Sequence, residues 1–222
     1  MTKGCISVLA AALLAASSSA AAQGFRFSNE EASRQANQQA QEEERQARVQ
    51  ALLATPCLQK IKNQKIMVVI AESRNGAVLA TQSAYAPHFE AINQRLRALG
   101  LRTYTPEEIR RQVAQAEIDA FFRNDPDAAI SASRRLAAQY ILRGLIHTQI
   151  ARNAIVNVNQ VAVRLDFTLT GSNGRTISQT AAANESYAGR DVLGMALTLL
   201  NERADEVVAQ LYSDYCRGAG TR

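Results

Sequence analysis

The residues from which this chain could build chemistry are few: His88 and His147, three cysteines, and the polar stretch Glu72-Ser73-Arg74-Asn75 directly after an apolar run. Neither histidine belongs to a His-x-x-x-His spacing and no Cys-x-x-Cys occurs, so no metal ligands are expected. The sequence also lacks a Gly-x-Ser-x-Gly elbow, a phosphate loop and a dinucleotide glycine pattern, so no catalytic residues and no cofactor are expected. His88, beside Pro87 at a helix start, and His147, within a strand, read as hydrogen-bonded structural histidines. Asp166 lies between apolar strand residues and is expected to pair across the sheet with Arg143 or with the neighbours of Arg164. The polar stretch is the candidate binding site: Glu72, Ser73, Arg74 and Asn75 leave the carboxyl end of a central strand, where open sheets tend to dock ligands and partners. An ordinary polar turn eased by Gly76 accounts for the same residues. The doublets Arg110-Arg111 and Arg134-Arg135 read as solvated helix faces.

What compartment these residues work in follows from the first twenty-two. Lys3, the apolar run from Ile6 to Ala16 and the triplet Ala20-Ala21-Ala22 read as a secretory signal peptide cleaved after about Ala22. The run is too short and too interrupted by serine to span a bilayer, so no integral membrane span is expected. Cys5 precedes the run and leaves with it. That leaves Cys57 and Cys216, an even count in an oxidising compartment, and we expect a disulfide between the two ends of the folded domain. Cleavage takes away Lys3 and no acid, lowering the formal charge of +5 by one. Acids and bases interleave along the helix-like segments, whereas a nucleic-acid binder gathers positive charge on one face, so no nucleic acid is expected. Weak contact with anionic lipid or peptidoglycan stays open.

The elements that must position these residues alternate regularly. Residues 1–22 are the expected signal peptide and 23–56 a polar helical tether, with a helix from Ser28 to Ala54 that has little to bury beyond Val49, Leu52 and Leu53. Residues 57–216 form one globular α/β domain and 217–222 a disordered tail. Ile66 to Ala71 is a continuous apolar run, the mark of a strand covered on both faces. Phe89, Ile92, Leu96 and Leu99 recur at helical spacing before Gly100, then come a short strand at Leu101–Tyr104 and one helix carrying Ile109, Val113, Ala116 and Ala120. After Asn124-Asp125-Pro126-Asp127 a further short helix leads to three strands: Tyr140–Ile150, Val158–Thr170 and Arg175–Ala183. The second alternates Val161, Val163, Leu165, Phe167 and Leu169 against Gln160, Arg164, Asp166, Thr168 and Thr170, so one face is buried and the other wet. Gly171-Ser172-Asn173-Gly174 is a hairpin turn, and a long helix closes the chain. The order β-α-β-α-α-β-β-β-α predicts a mixed sheet, parallel at its start and antiparallel at its flank, with helices packed against it.

That order, with Leu136-Ala137-Ala138-Gln139-Tyr140-Ile141-Leu142-Arg143-Gly144 entering the third strand and the turn at Gly171–Gly174, resembles a group of bacterial envelope domains. They are the N-terminal domain of TolB, the middle domain of flagellar assembly protein T, the curli secretion subunit CsgG and the penicillin-binding-protein activators of the LpoB type. The resemblance covers roughly Gln64 to Tyr215. Ala138-Gln139-Tyr140 stands where such domains commonly carry a Gly-Ala-Asp-like approach. The resemblance implies a non-catalytic interaction module that binds an envelope or secretion-machine protein in the periplasm or outside the cell. The alternative is a periplasmic small-ligand or glycan-binding protein using the loop after the first strand. An exported hydrolase, the least favoured reading, would need a deep pocket holding Glu72 with His88 or His147.

Overall fold

The computed structural model describes residues 27–74, 76–123, 125–153, 155, 158–187 and 191–219; the signal peptide with its cleavage site, Asn75 and residues 220–222 lie outside the described residues. Contacts divide the chain between Glu42 and Glu43. The first unit holds the opening turns of helix α1 (Phe27–Leu53), a run of Glu, Gln, Arg and Ala in which residues 30–41 are exposed and Arg34 pairs with Glu30 one turn away. Such a helix has no apolar stripe to bury and relies on local pairs worth roughly 0.2–0.5 kcal/mol each.

The second unit is the α/β body. Its chain order is α2 (Leu58–Ile61), β1 (Lys65–Arg74), β2 (Ala77–Leu79), α3 (Ala86–Ala98), β3 (Arg102–Thr103), α4 (Pro106–Gln112), α5 (Gln115–Phe122), α6 (Pro126–Leu136), β4 (Tyr140–Asn153), β5 (Val158–Gly171), β6 (Thr176–Tyr187) and α7 (Val192–Ala219). The strands line up β2-β1-β4-β5-β6, with β3 also beside β1. β1 runs parallel to β4 and to β3, while β4, β5 and β6 form an antiparallel meander, so the mixed sheet is as the element order predicts. β1 is buried from Ile66 to Glu72, as its apolar run demands. It lies one strand from the edge, and β4 takes the centre because it pairs with β1 on one side and β5 on the other.

Three details depart from the pattern read along the chain. The polar stretch after β1 is the end of a strand, since Ser73 and Arg74 pair with Val78 and Ala77 of the short β2. The single helix expected over Ile109–Ala120 is two. A Thr105–Glu108 capping box starts α4, Val113 turns extended and buries its side chain, and the Glu117 carboxylate takes the Ala114 N–H to start α5. At the other end α7 carries on past Cys216, so residues 217–219 are helical.

Register decides which side chains share a face, because strand residues alternate sides. One face carries Val68, Ile70, Leu142, Ile146, Val163, Leu165, Phe167 and Leu169, all buried, and α3 and α7 pack on it through Phe89, Ile92, Leu96, Leu199, Leu200, Val207 and Leu211. Fully burying a side chain of this size stabilises by roughly 1.5–3 kcal/mol. Gly144 fits closely there: a Cβ would stand 3.0 Å from the Phe167 ring and 3.4 Å from Ile70, so a larger residue would press the ring aside by a few tenths of an ångström. The other face is covered by α4–α6 only at its β1 and β4 end, where Phe121 lies under the Arg143 guanidinium at 5.6 Å.

Two further features complete the body. Ile70 falls between the part of β1 paired by β3 and the part paired by β2, and the Gln82 amide takes the missing strand's place: its oxygen accepts from Ile70 N–H at 3.0 Å and its nitrogen donates to the Ile70 carbonyl at 2.9 Å. The last turns of α1, within this unit, lie along α7, with Arg45 donating to the Glu202 carbonyl at 2.6 Å and Arg48 pairing with Glu206 at 3.2 Å. No helix among the described residues is long and apolar enough to cross a membrane.

Candidate functional site

Glu72 and Ser73 are neighbours in sequence and, by strand alternation, face opposite sides of the sheet. Glu72 goes under the helices and is only 2% exposed. One of its oxygens accepts from the Arg74 guanidinium at 2.8 Å and from the Thr148 hydroxyl at 3.2 Å, so its charge is compensated locally. Leaving a buried carboxylate without such partners would cost several kcal/mol. Tyr85 lies within the field of this carboxylate, and burial, followed by the Glu72 charge, raises its phenol above the ordinary pKa.

His88, on α3, packs edge-on against Tyr85 and is buried. Its Nε2 stands 3.1 Å from the Leu193 carbonyl at the start of α7. A carbonyl can only accept, so Nε2 carries the proton and Nδ1 keeps a lone pair, which is buried without a protein partner. Burial depresses the imidazole pKa below its usual value, against the Leu193 carbonyl and the charges of Asp191 and Glu72, which raise it.

On the opposite face, Ser73 stands beside His147 in the β1–β4 register, and His147 stands beside Arg164 of β5. Asp166 receives Arg164 Nε at 2.8 Å and lies 3.1 Å from His147 Nε2. It therefore pairs with Arg164 and with His147, the cross-strand neighbour of Arg164, and its charge also acts on Arg143. Serine, histidine and aspartate in this order are the residue types of an acyl-transfer triad. The hydrogen bond from Ser73 to His147 that a nucleophile needs is not formed among the described residues, and Asp166 is shared with an arginine.

What this face does form is a groove of about 510 Å³. Arg143 and His147 come from β4, Arg164, Asp166 and Thr168 from β5, and Gln179 from β6, with Phe122 of α5 as an apolar wall. Across from Asp166, β6 places Ala181, whose small side chain lines the concavity, and across from Arg164 it places Ala183. Burial lowers the Arg143 pKa, partly countered by Asp166. The alternation of β5 already marks Arg164, Asp166 and Thr168 as the wet side. What it cannot reveal is that Gln179 and two alanines of β6 fall in register with them.

Elsewhere the candidates stay apart. Arg110 pairs with Glu107 and Arg135 with Glu117 on their helix surfaces. No group of three or more histidine, cysteine or acidic residues is placed to hold a metal ion among the described residues. Cys57 and Cys216 form a disulfide with their Cα atoms 5.5 Å apart, and Tyr212 bridges beside it, accepting from Cys57 N–H and donating to the Thr55 carbonyl at 2.5 Å. The Tyr140 hydroxyl donates to that of Tyr215 at 2.9 Å; burial and this bond raise the Tyr140 pKa.

No family model matches the chain, and no curated protein matches it. Solved structures align with part of it. Lipoprotein GNA1162 from Neisseria meningitidis aligns at 12% identity and a TM-score of 0.43, over 64% of this chain and 99% of the other. The PelC dodecamer subunit from Paraburkholderia phytofirmans aligns at 17% identity and a TM-score of 0.39, over 68% and 88%. The LpoB C-terminal domain from Salmonella enterica aligns at 16% identity and a TM-score of 0.40, over 60% and 95%.

Proposed function

We propose that this chain is an exported, non-catalytic interaction module that supports assembly or regulation of a cell-envelope or secretion machine. The observation that carries the reading is the Cys57–Cys216 disulfide, which ties residues 159 positions apart in sequence. Bonds of this kind form and persist in oxidising compartments, in keeping with the secretory character of residues 1–22. The engagement of the reactive side chains supports a binding role. Glu72 is held by Arg74 and Thr148, His88 by the Leu193 carbonyl, and His147 by Asp166.

The partner is a protein of the envelope or of a secretion machine. Affinity purification of the tagged chain from crosslinked envelopes should recover one specific protein, and its loss after mixing with excess untagged chain establishes specificity. Recovery of no specific partner, from a preparation that is monodisperse and correctly oxidised, sinks the proposal. A companion mass measurement on the secreted chain is expected to find a new terminus after about Ala22.

A further inference from the structure

We infer that the cleft between the β5–β6 turn and the last turns of α7 is a binding site for a phosphate group. It lies where β4 begins, at the end of the sheet opposite to Glu72–Arg74, and shares no residue with the groove across β4, β5 and β6. It does not depend on which protein the module binds.

The hydrogen bonds around the cleft leave its donors unspent. Gln139 and Asn173, which both line it, each commit the amide oxygen to a backbone N–H, that of Lys65 at 2.6 Å and that of Arg175 at 3.1 Å. A backbone N–H only donates, so these bonds fix the orientation of both amides and leave their NH2 groups over. Tyr140 donates to the Tyr215 oxygen at 2.9 Å, so Tyr215 keeps its own proton to give. Ser172, in the turn, adds an exposed hydroxyl.

The charge agrees with the donors. Arg175 is exposed and forms no ion pair among the described residues, and no carboxylate lines the cleft. Asp214 of α7 is held elsewhere, by Ser178 at 2.5 Å, Arg217 at 2.6 Å and Gln210 at 2.8 Å. The C-terminal pole of α7, which reaches the cleft at Gly218, brings a partial negative charge of roughly one half, and the full charge of Arg175 outweighs it. A guanidinium meets a phosphate through paired, parallel N–H bonds. A carboxylate offers two oxygens and a phosphate ester three free ones, which suits a set of donors larger than one arginine. The cleft volume of about 380 Å³ falls within the range of roughly 300–1,000 Å³ typical of small-ligand sites.

Two sources carry this group, a soluble phosphate ester and the headgroups of a phospholipid surface. Calorimetric titration of the oxidised, secreted chain with glycerol 3-phosphate and with acetate reads the first, and flotation with phosphatidylglycerol vesicles reads the second. Binding of at least one phosphate source is expected, with acetate about tenfold weaker or silent. Arg175→Gln should weaken phosphate binding about tenfold, as loss of a charge-assisted pair predicts, and Tyr215→Phe should weaken it less. Gln139→Glu keeps the acceptor for Lys65 N–H and sets a negative oxygen where the amide donor stood, so it should abolish binding with the thermal midpoint unchanged. Arg110→Gln, on the surface of α4, should leave binding as it is. Binding of the ester alone assigns the soluble source, and vesicle binding that Arg175→Gln removes assigns the lipid. The inference fails if neither source binds, if acetate binds as tightly as glycerol 3-phosphate, or if Gln139→Glu binds like the wild type. None of these outcomes bears on recovery of a protein partner, so the two proposals can fail separately.

Discussion

On one side of β5, Val163, Leu165, Phe167 and Leu169 are buried beneath α7; on the other, Arg164, Asp166 and Thr168 are at least partly open to solvent. The same fourteen residues thus serve two environments, and the period of the strand keeps them apart. The covered side carries the packing free energy. The open side carries charge and hydrogen-bonding groups whose replacement disturbs little of that packing. A surface made this way can change its residues while the fold beneath it stays fixed.

The largest test of this division is the disulfide, because Cys216 anchors the end of the helix that covers the apolar side. Replacing Cys57 and Cys216 with serine should lower stability by about 5 kcal/mol on the chain-entropy account. Urea unfolding of wild type and variant measures it, and a loss below about 1 kcal/mol would show that α7 holds the sheet without the covalent tie. Next in size is a pair of changes on β5. Leu165→Ala, at a position 2% exposed, should cost roughly 2–5 kcal/mol, and Thr168→Ala on the opposite side no more than about 0.5. Equal costs would erase the distinction between the faces.

The smallest effect concerns His88, which joins α3 to α7 on the covered side. Burial lowers its folded pKa below the value of about 6.5 that it has when unfolded. The unfolded chain therefore takes up this proton first as pH falls, so the stabilisation is complete above the unfolded pKa and is lost as pH falls towards the folded one. Urea midpoints at pH 7.5 and 5.5 should drop more for the wild type than for His88→Gln. An equal drop in both would remove His88 from the acid response.

Much of this architecture can be read from local pattern. Ile66–Ala71 declares a buried strand, the alternation of β5 declares its two faces, and Gly171–Gly174 declares the hairpin, with Gly174 at a φ of +79°. The split between α4 and α5 is harder, since Val113 satisfies a helical stripe as well as it fills the core from an extended turn. The polar stretch misleads for a different reason. Glu72, Ser73 and Arg74 look like a surface loop by composition, but the three-residue β2 extends β1 through them and sends Glu72 inward. The groove depends on pairing between strands whose residues are distant along the chain, a relation that no single segment encodes.

The Gln82 amide has a meaning beyond the bonds it makes. Isoleucine, methionine, valine and alanine in an unbroken run, with no charge and no proline, form the kind of segment that recruits identical copies into cross-β stacks when its backbone edge is open. By holding both polar groups of Ile70, this one side chain closes the backbone edge of β1 at the point where neither β2 nor β3 reaches it.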